Sequence, residues 1–285
     1  MSDFVITGSI SEKSLEKSSA KLSVKSDAKR RPVSVEEKLL LDPLYEFHGW
    51  TFCNLAGIIF MATYIVFWGI MTPNMPPIHA LVTPEQTEVL IHENYNMIRL
   101  GMVLAMGTLT LNYVWAIGMS KVMSKVVGRD SILIPLQIVG GGLTTMSLMC
   151  ACGYWLTMGY RPNLPGTQLM QLFDNGWMLF DLAYAVTSIQ MFALSAAFLQ
   201  DFREKPLIPG WVNWYGIFVG ISFAAETFMP FMYDGIFARG GLFNYWFEFP
   251  IWFAWAFIFS YYCVQAIPRL KQEKLKAVAA AKAAA

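Results

Sequence analysis

The chain has 285 residues, of which 55% are hydrophobic and 14% are charged, and its formal net charge is +1. A typical soluble domain is about 25% charged, so this chain has too few charged residues to face water over its whole surface. The composition excludes a disordered, fibrous or ordinary cytosolic protein and indicates an all-α, polytopic integral membrane helix bundle. The apolar runs are long and do not alternate, which excludes a transmembrane β-barrel.

Six apolar stretches predict the membrane domain. Each is long enough to provide the roughly 20 helical residues that cross a bilayer, and they cover 50–71, 96–121, 132–160, 176–200, 211–233 and 246–267. We therefore expect a six-helix transmembrane domain over 48–268. Residues 1–47 are predicted to be a disordered basic segment, because their first 33 residues are rich in Ser, Lys and Glu. Residues 269–285 form a C-terminal tail.

The distribution of Lys and Arg predicts the orientation. Of the 21 basic residues, 18 precede the first stretch, follow the sixth, or lie in the second-to-third and fourth-to-fifth connections. All of these lie on one side of a six-span protein, and an excess of basic residues marks the cytoplasmic side. We therefore expect both termini in the cytoplasm. The three exceptions are Arg99, Arg161 and Arg239.

The first outer connection, 72–95, contains no Lys or Arg. Thr83, Pro84 and Gln86 have the pattern of a helix start: a cap, a proline at the first position and a side chain that bonds back. We expect a short external helix that runs into or packs against the second span. The acidic loop is either a functional mouth or a structured tether, and the sequence leaves both open.

The sequence also excludes several kinds of site. The chain has three histidines, none in the middle of a span, and four cysteines without the spacing of a zinc site or a disulfide framework. Neither a haem held by two intramembrane histidines nor a histidine-rich di-iron site fits this inventory, and no Walker A or nucleophile-elbow motif is present. We therefore predict no cofactor, no metal and no catalytic residue. The expected partners are membrane lipid and either further copies of the chain or subunits of a membrane complex. Nucleic acid is not expected, because the basic residues occupy tails and loop flanks.

Ionisable residues within a membrane span are costly and indicate a functional site. In the predicted topology four such residues lie in the outer half of the bilayer, and two polar residues from neighbouring spans complete the candidate ion- or substrate-binding set. The set is Asp181, Glu226, Arg99, Glu248, Asn112 and Gln190. We expect Arg99 to neutralise Asp181 or Glu226. The alternative is a buried ion pair that only fixes helix packing.

Two further patterns bear on function. Gly140, Gly141 and Gly142 lie within the third span, where they allow either a helix break or a very close neighbour. The segments 49–56 and 176–183 share four of eight residues, with Asn54 opposite Asp181. In a six-span protein these segments run in opposite directions, as in the inverted repeats of many secondary transporters.

The stretch Gly176–Phe257 contains the sequences Gly-Trp-Met-Leu-Phe-Asp-Leu, Pro-Gly-Trp-Val-Asn-Trp and Gly-Leu-Phe-Asn-Tyr-Trp. In these it resembles uncharacterised bacterial multi-span inner-membrane proteins. The resemblance implies a helical fold in the bacterial inner (plasma) membrane and brings no reaction with it.

Three functions remain after this reasoning. The leading hypothesis is a transporter-like protein that handles a small or lipophilic solute through the buried charged site. The second is a non-catalytic structural or accessory subunit of a membrane enzyme complex. The third is a membrane-embedded enzyme that acts on a lipid or hydrocarbon with Asp181 or Glu226 as acid or base. The question of enzymatic activity stays open, although the sequence offers no nucleophile or metal ligand set.

Overall fold

The computed structural model describes residues 42–284, and every regular element of secondary structure in this part of the chain is a helix. The predicted disorder of residues 1–47 falls almost wholly on residues outside the described range. The helices belong to one compact unit, Phe47–Ala285.

Seven α-helices account for most of the residues from 42 to 284, and shorter helical segments adjoin three of them. The α-helices are α1 (Trp50–Tyr64), α2 (Pro84–Val127), α3 (Leu133–Tyr160), α4 (Gly166–Asp181), α5 (Tyr184–Phe198), α6 (Gly210–Ser222) and α7 (Glu248–Ala284). A π-helical segment, Ile65–Ile70, continues α1, and a second, Leu242–Phe247, leads into α7. A 3-10 segment, Phe223–Phe231, continues α6.

Five helical stretches in the described part are long and apolar enough to cross a membrane. They are Tyr45–Ile70, Pro84–Val127, Leu133–Tyr160, Gly166–Phe198 and Leu242–Ala284. The predicted stretch 211–233 is not among them. It is helical, as α6 and its 3-10 segment, but Asn213, Glu226 and Pro230 interrupt its apolar run. The last of the five carries the predicted tail as a continuous helix to Ala284.

The predicted helix start before the second span is confirmed. Thr83 accepts a hydrogen bond from the Gln86 backbone N–H at 3.3 Å, and the Gln86 side chain accepts one from the Thr83 N–H at 3.0 Å. This reciprocal capping box opens α2, which has 44 residues and is therefore roughly 66 Å long. The external helix and the second span are thus one helix, about twice as long as the apolar core of a bilayer is thick.

The predicted span 176–200 begins ten residues earlier and is interrupted. α4 starts at Gly166, and turn geometry at Leu182 and Ala183 separates its end from α5. The Ser147 hydroxyl of α3 donates to the Leu179 carbonyl oxygen at 2.6 Å. In an uninterrupted helix that oxygen would accept from the Ala183 N–H. At the interruption, the Ser147 side chain therefore takes the place of a backbone donor.

The glycines of the third span do not break it, because α3 is continuous from Leu133 to Tyr160. They instead allow the second expected arrangement, in which a neighbouring helix packs very close to α3. A Cβ at Gly140 would lie 2.8 Å from the backbone nitrogen of Gln190, and one at Gly141 would lie 2.7 Å from the Gln190 side-chain nitrogen. Glycine therefore lets the backbones of α3 and α5 touch.

Contacts between loops define two opposite ends of the bundle. At one end the Tyr245 hydroxyl donates to the Asn74 carbonyl at 2.7 Å, and the Arg239 Nε donates to the Ile78 carbonyl at 3.2 Å. We call this the Arg239 end.

The other end is basic. Arg203 donates to the Lys125 carbonyl at 3.2 Å, and Arg269 donates to the Pro206 carbonyl at 3.0 Å. α2 begins near the Arg239 end, where Glu88 accepts from the Gly166 N–H at 3.1 Å, and it finishes beside Lys125. We call the second end the basic end.

Candidate functional site

Three carboxyl side chains meet in the interior of the bundle. Asp181 is the last residue of α4, Glu226 lies in the 3-10 segment and Glu248 is the first residue of α7. Their exposed fractions are 1%, 5% and 0%. We call these three residues the carboxyl triad. Each sits at a helix end or in an irregular helical turn, where side chains leave the regular i, i+4 rows.

Asp181 is held by a residue of the π-helical segment. The Asn244 side chain donates to one Asp181 carboxylate oxygen at 3.1 Å, and both side chains are buried. Within the described residues, the other Asp181 oxygen and the Asn244 amide oxygen have no hydrogen-bond donor. Buried oxygens that lack a donor are available to a bound proton, cation or water.

Glu226 and Glu248 face each other across the bundle interior. The two carboxyl groups are close enough to interact electrostatically with each other and with Asp181. Within residues 42–284, neither carboxylate oxygen of Glu248 has a hydrogen-bond partner.

The positive charge of Arg239 acts on Asp181. Its guanidinium is already engaged, because it forms an ion pair with Asp174 and lies over the Phe173 ring at 4.8 Å. In the described part of the chain, neither Lys nor Arg forms an ion pair with a member of the triad. Three uncompensated negative charges in a buried site would be costly, so the arrangement favours bound protons or cations.

A narrow cleft leads to Glu226 beside the interruption between α4 and α5. Its free space is about 20 Å³, enough for about one water molecule. Its polar lining residues are Thr144, Tyr184, Thr187 and Glu226, and its other walls are apolar. The Thr144 and Thr187 hydroxyls are 2.9 Å apart and hydrogen-bonded. The cleft thus connects one member of the triad to polar side chains of α3 and α5.

The structure separates Arg99 from the triad. Arg99 is exposed on α2, where it donates to the Asn96 side chain at 3.1 Å and lies over the Tyr95 ring at 5.6 Å. Its surroundings are a surface groove between α2 and α3 lined by Val103 and Tyr160, among others. The expected neutralisation of Asp181 or Glu226 by Arg99 therefore has no geometric basis.

The other predicted residues fall into two groups. Asp181, Glu226 and Glu248 come together as the triad. Asn112 and Gln190 are both buried, but they lie on the side of the triad toward the basic end. Asn112 donates to the Thr145 hydroxyl at 2.8 Å, and Gln190 packs over Gly141.

Sequence reasoning missed Arg239 and Asn244 as members of the site. Arg239 did carry a signal, since it is one of the three basic residues outside the basic segments. Asn244 lies in the Gly-Leu-Phe-Asn-Tyr-Trp sequence, two residues before the start of the sixth predicted span. Their pairing with residues 65 and 63 positions away is a property of the fold.

Among the described residues, no group of three or more His, Cys, Asp or Glu has the arrangement of a metal site. Comparison with known proteins found no matching family model, no similar curated protein and no similar solved structure.

Proposed function

We propose that this protein is a transporter-like, multi-pass membrane protein whose carboxyl triad binds a proton or a monovalent cation while a small or lipophilic solute is handled. The observation that carries the proposal is the burial of Asp181, Glu226 and Glu248 together, beside a guanidinium that Asp174 already occupies. Such a cluster is stable only when it holds a compensating positive charge, and that charge has to be exchanged if the site is to work repeatedly.

The interrupted helix supports the same proposal. Transporter sites are commonly built where membrane helices are discontinuous, since the free backbone and side chains there line a polar space. Here the interruption at Leu182 and Ala183 lies directly beside Asp181, and Ala183 lines the cleft that reaches Glu226. A purely structural ion pair needs neither the interruption nor the cleft.

A six-span topology with both termini on one side forms part of the proposal. α6 has 13 residues and its 3-10 segment has 9, which together extend roughly 37 Å and exceed the thickness of the hydrocarbon core. The segment leaves the basic end after Pro206 and leads to the loop that contains Arg239. This path supports a sixth crossing, and the excess of basic residues supports a cytoplasmic location for the basic end.

Proton flux into liposomes tests the proposed function. Purified protein is reconstituted with a pH-sensitive dye inside, and a potassium diffusion potential drives proton entry. We expect Asp181→Asn and Glu226→Gln each to lower the initial rate by about tenfold or more, because the neutral amide binds no proton. Repeating the assay with sodium and a sodium-sensitive dye distinguishes a proton from a monovalent cation.

Glu93→Gln is the matched control, since Glu93 is exposed on the outer part of α2; its rate should equal that of the wild type. Wild-type protein that moves neither ion would overturn the proposal, as would triad variants that transport at the wild-type rate. A folded protein that transports no ion but copurifies in a stoichiometric membrane complex would instead favour the accessory-subunit hypothesis.

A further inference from the structure

A series of buried polar side chains continues from the triad toward the basic end. The first step is the cleft at Glu226, where Thr144 of α3 and Thr187 of α5 are hydrogen-bonded at 2.9 Å. The next polar residue on α5 is Gln190, one helical turn further toward the basic end and buried.

Gln190 leads to a second pair of polar side chains through the glycines of α3. A Cβ added at Gly141 would lie only 2.7 Å from the Gln190 amide nitrogen. The Thr145 hydroxyl donates to the Gly141 carbonyl at 2.8 Å and accepts from Asn112 of α2 at 2.8 Å. Side chains of three helices therefore meet at one level of the bundle.

A third pair lies closer to the basic end. Ser120, two turns beyond Asn112 on α2, donates to the Gln137 side chain of α3, and both are buried. Gln137 is one turn from Gly141 on the same face of α3. Lys121 follows Ser120 directly and is exposed, so this pair lies next to the basic surface of the bundle.

Three amides along this path each have a buried atom that lacks a protein partner in the described range. They are the nitrogen of Gln190, the oxygen of Asn112 and the nitrogen of Gln137. Buried amide atoms are nearly always hydrogen-bonded, to ordered water where protein does not reach them. Hydrogen-bond donors and acceptors spaced along the bundle axis can hold a single file of water molecules in order.

We propose that these residues form a water-filled track that delivers protons from the basic end to Glu226. The polar track comprises Thr187, Thr144, Gln190, Thr145, Asn112, Gln137 and Ser120. A proton enters the file from water at the basic end, each water passes on one of its own protons as it receives another, and the Glu226 carboxylate takes the last. The amides and hydroxyls stay neutral and only orient the water. This inference rests on the proposed function of the triad.

The test compares rates of proton flux with equilibrium protonation of the triad. Gln190→Met and Gln137→Met keep an unbranched side chain but remove the amide that binds water. In the liposome assay we expect each to lower the initial rate by about tenfold. The carboxyl infrared bands that disappear in Glu226→Gln should titrate in both variants as in the wild type, because the triad itself is unchanged.

Gln200→Met is the control, since Gln200 is exposed beyond the end of α5, and its flux should equal that of the wild type. Gln190→Asn should restore at least part of the lost rate, which a purely steric effect of the substitution would not allow. Wild-type rates in Gln190→Met and Gln137→Met, with Glu226→Gln inactive, would overturn the track and leave the triad intact. Wild-type rates in Glu226→Gln as well would overturn the proposed function itself.

Should either Met variant fail to fold, Thr145→Val provides the same test, because it removes the hydroxyl that joins Gly141 to Asn112 at nearly constant volume. Its expected result is again a slower flux with unchanged carboxyl bands. A wild-type rate in Thr145→Val would contradict the track.

Discussion

At the scale of single residues, Asn244 is the side chain that fixes Asp181 in the site. It supplies the one hydrogen bond that the described residues make to the Asp181 carboxylate, at 3.1 Å. Arg239 acts on Asp181 from further away and is held in place by Asp174 and by the Ile78 carbonyl. One buried amide thus binds Asp181 directly, and one buried guanidinium acts on it through its charge.

Asn244→Ala should destabilise the protein by about 1–3 kcal/mol, because it leaves a buried carboxylate oxygen without its donor. Thermal unfolding in detergent measures the change. The control is Asn94→Ala, since Asn94 bonds the Leu90 carbonyl of its own helix at 2.9 Å and lies outside the site. Equal melting temperatures for the two variants would contradict the role given to Asn244. The double variant Asp181→Ala with Asn244→Ala should lose less than the sum of the single losses, as expected for residues in contact.

At the scale of helices, irregular geometry is concentrated around the triad. The α4–α5 interruption adjoins Asp181, the 3-10 segment contains Glu226 and the second π segment ends immediately before Glu248. The first π segment contains Trp68, which stacks on Phe180 at 4.7 Å and on Phe249 at 5.7 Å. These rings pack beside the triad, and the irregular turns aim polar groups inward against that apolar wall.

The helix contact that the glycines permit can be tested by adding one methyl group. In Gly140→Ala the new Cβ would lie 2.8 Å from the Gln190 nitrogen and 2.9 Å from the Val186 carbonyl oxygen. Both atoms belong to the backbone, so no side-chain rotation relieves the clash, and α3 and α5 must separate. We expect a loss of about 1–3 kcal/mol in the free energy of unfolding.

Gly153→Ala is the matched control on the same helix, because a Cβ there meets nothing within 4 Å. It should be neutral or stabilising by up to about 1 kcal/mol, as the higher helix propensity of alanine predicts. Unfolding of both variants in mixed detergent micelles gives the comparison. A Gly140→Ala protein as stable as Gly153→Ala would show that α3 and α5 are not in backbone contact.

At the scale of the whole molecule, the two ends differ in chemistry. At the basic end, Arg203 donates to the Lys125 carbonyl and forms an ion pair with Glu273, and Arg269 donates to the Pro206 carbonyl. At the Arg239 end, the loops that contain Asn74 and Ile78 pack on Tyr245 and Arg239. The polar track and the triad lie in sequence between these ends, an arrangement suited to moving an ion along the bundle axis.

A reporter that is active only in the cytoplasm tests this arrangement. Fused after Ala285, or inserted between Phe202 and Arg203, it should be active; inserted after Asp234 it should be inactive. Asp234 is exposed and its contact with His79 lies at the surface, so the insertion there is tolerable. An epitope tag on every fusion controls for expression. Equal activity at the 202–203 and 234 insertions would mean that α6 and its 3-10 segment do not cross the membrane.

The sequence by itself determined the helical, apolar class of the protein and several local details. Thr83 and Gln86 identified the start of α2, since a capping box involves residues three apart. The burial of Asp181, Glu226 and Glu248 follows from their place in apolar runs. These features depend on composition and on short-range geometry, which a sequence displays directly.

Only the tertiary structure decided which groups meet. It brought Arg239 rather than Arg99 toward Asp181, and it joined Asn244 to the Asp181 carboxylate. It also placed Asn112 and Gln190 in the polar track, between the triad and the basic end. Each of these results depends on side chains from different helices, whose rotation and depth no local pattern specifies. At the interruption, likewise, the Leu179 carbonyl accepts a hydrogen bond from Ser147, 32 residues away in the chain. Local chemistry thus defines the helices, whereas packing between them assembles the site.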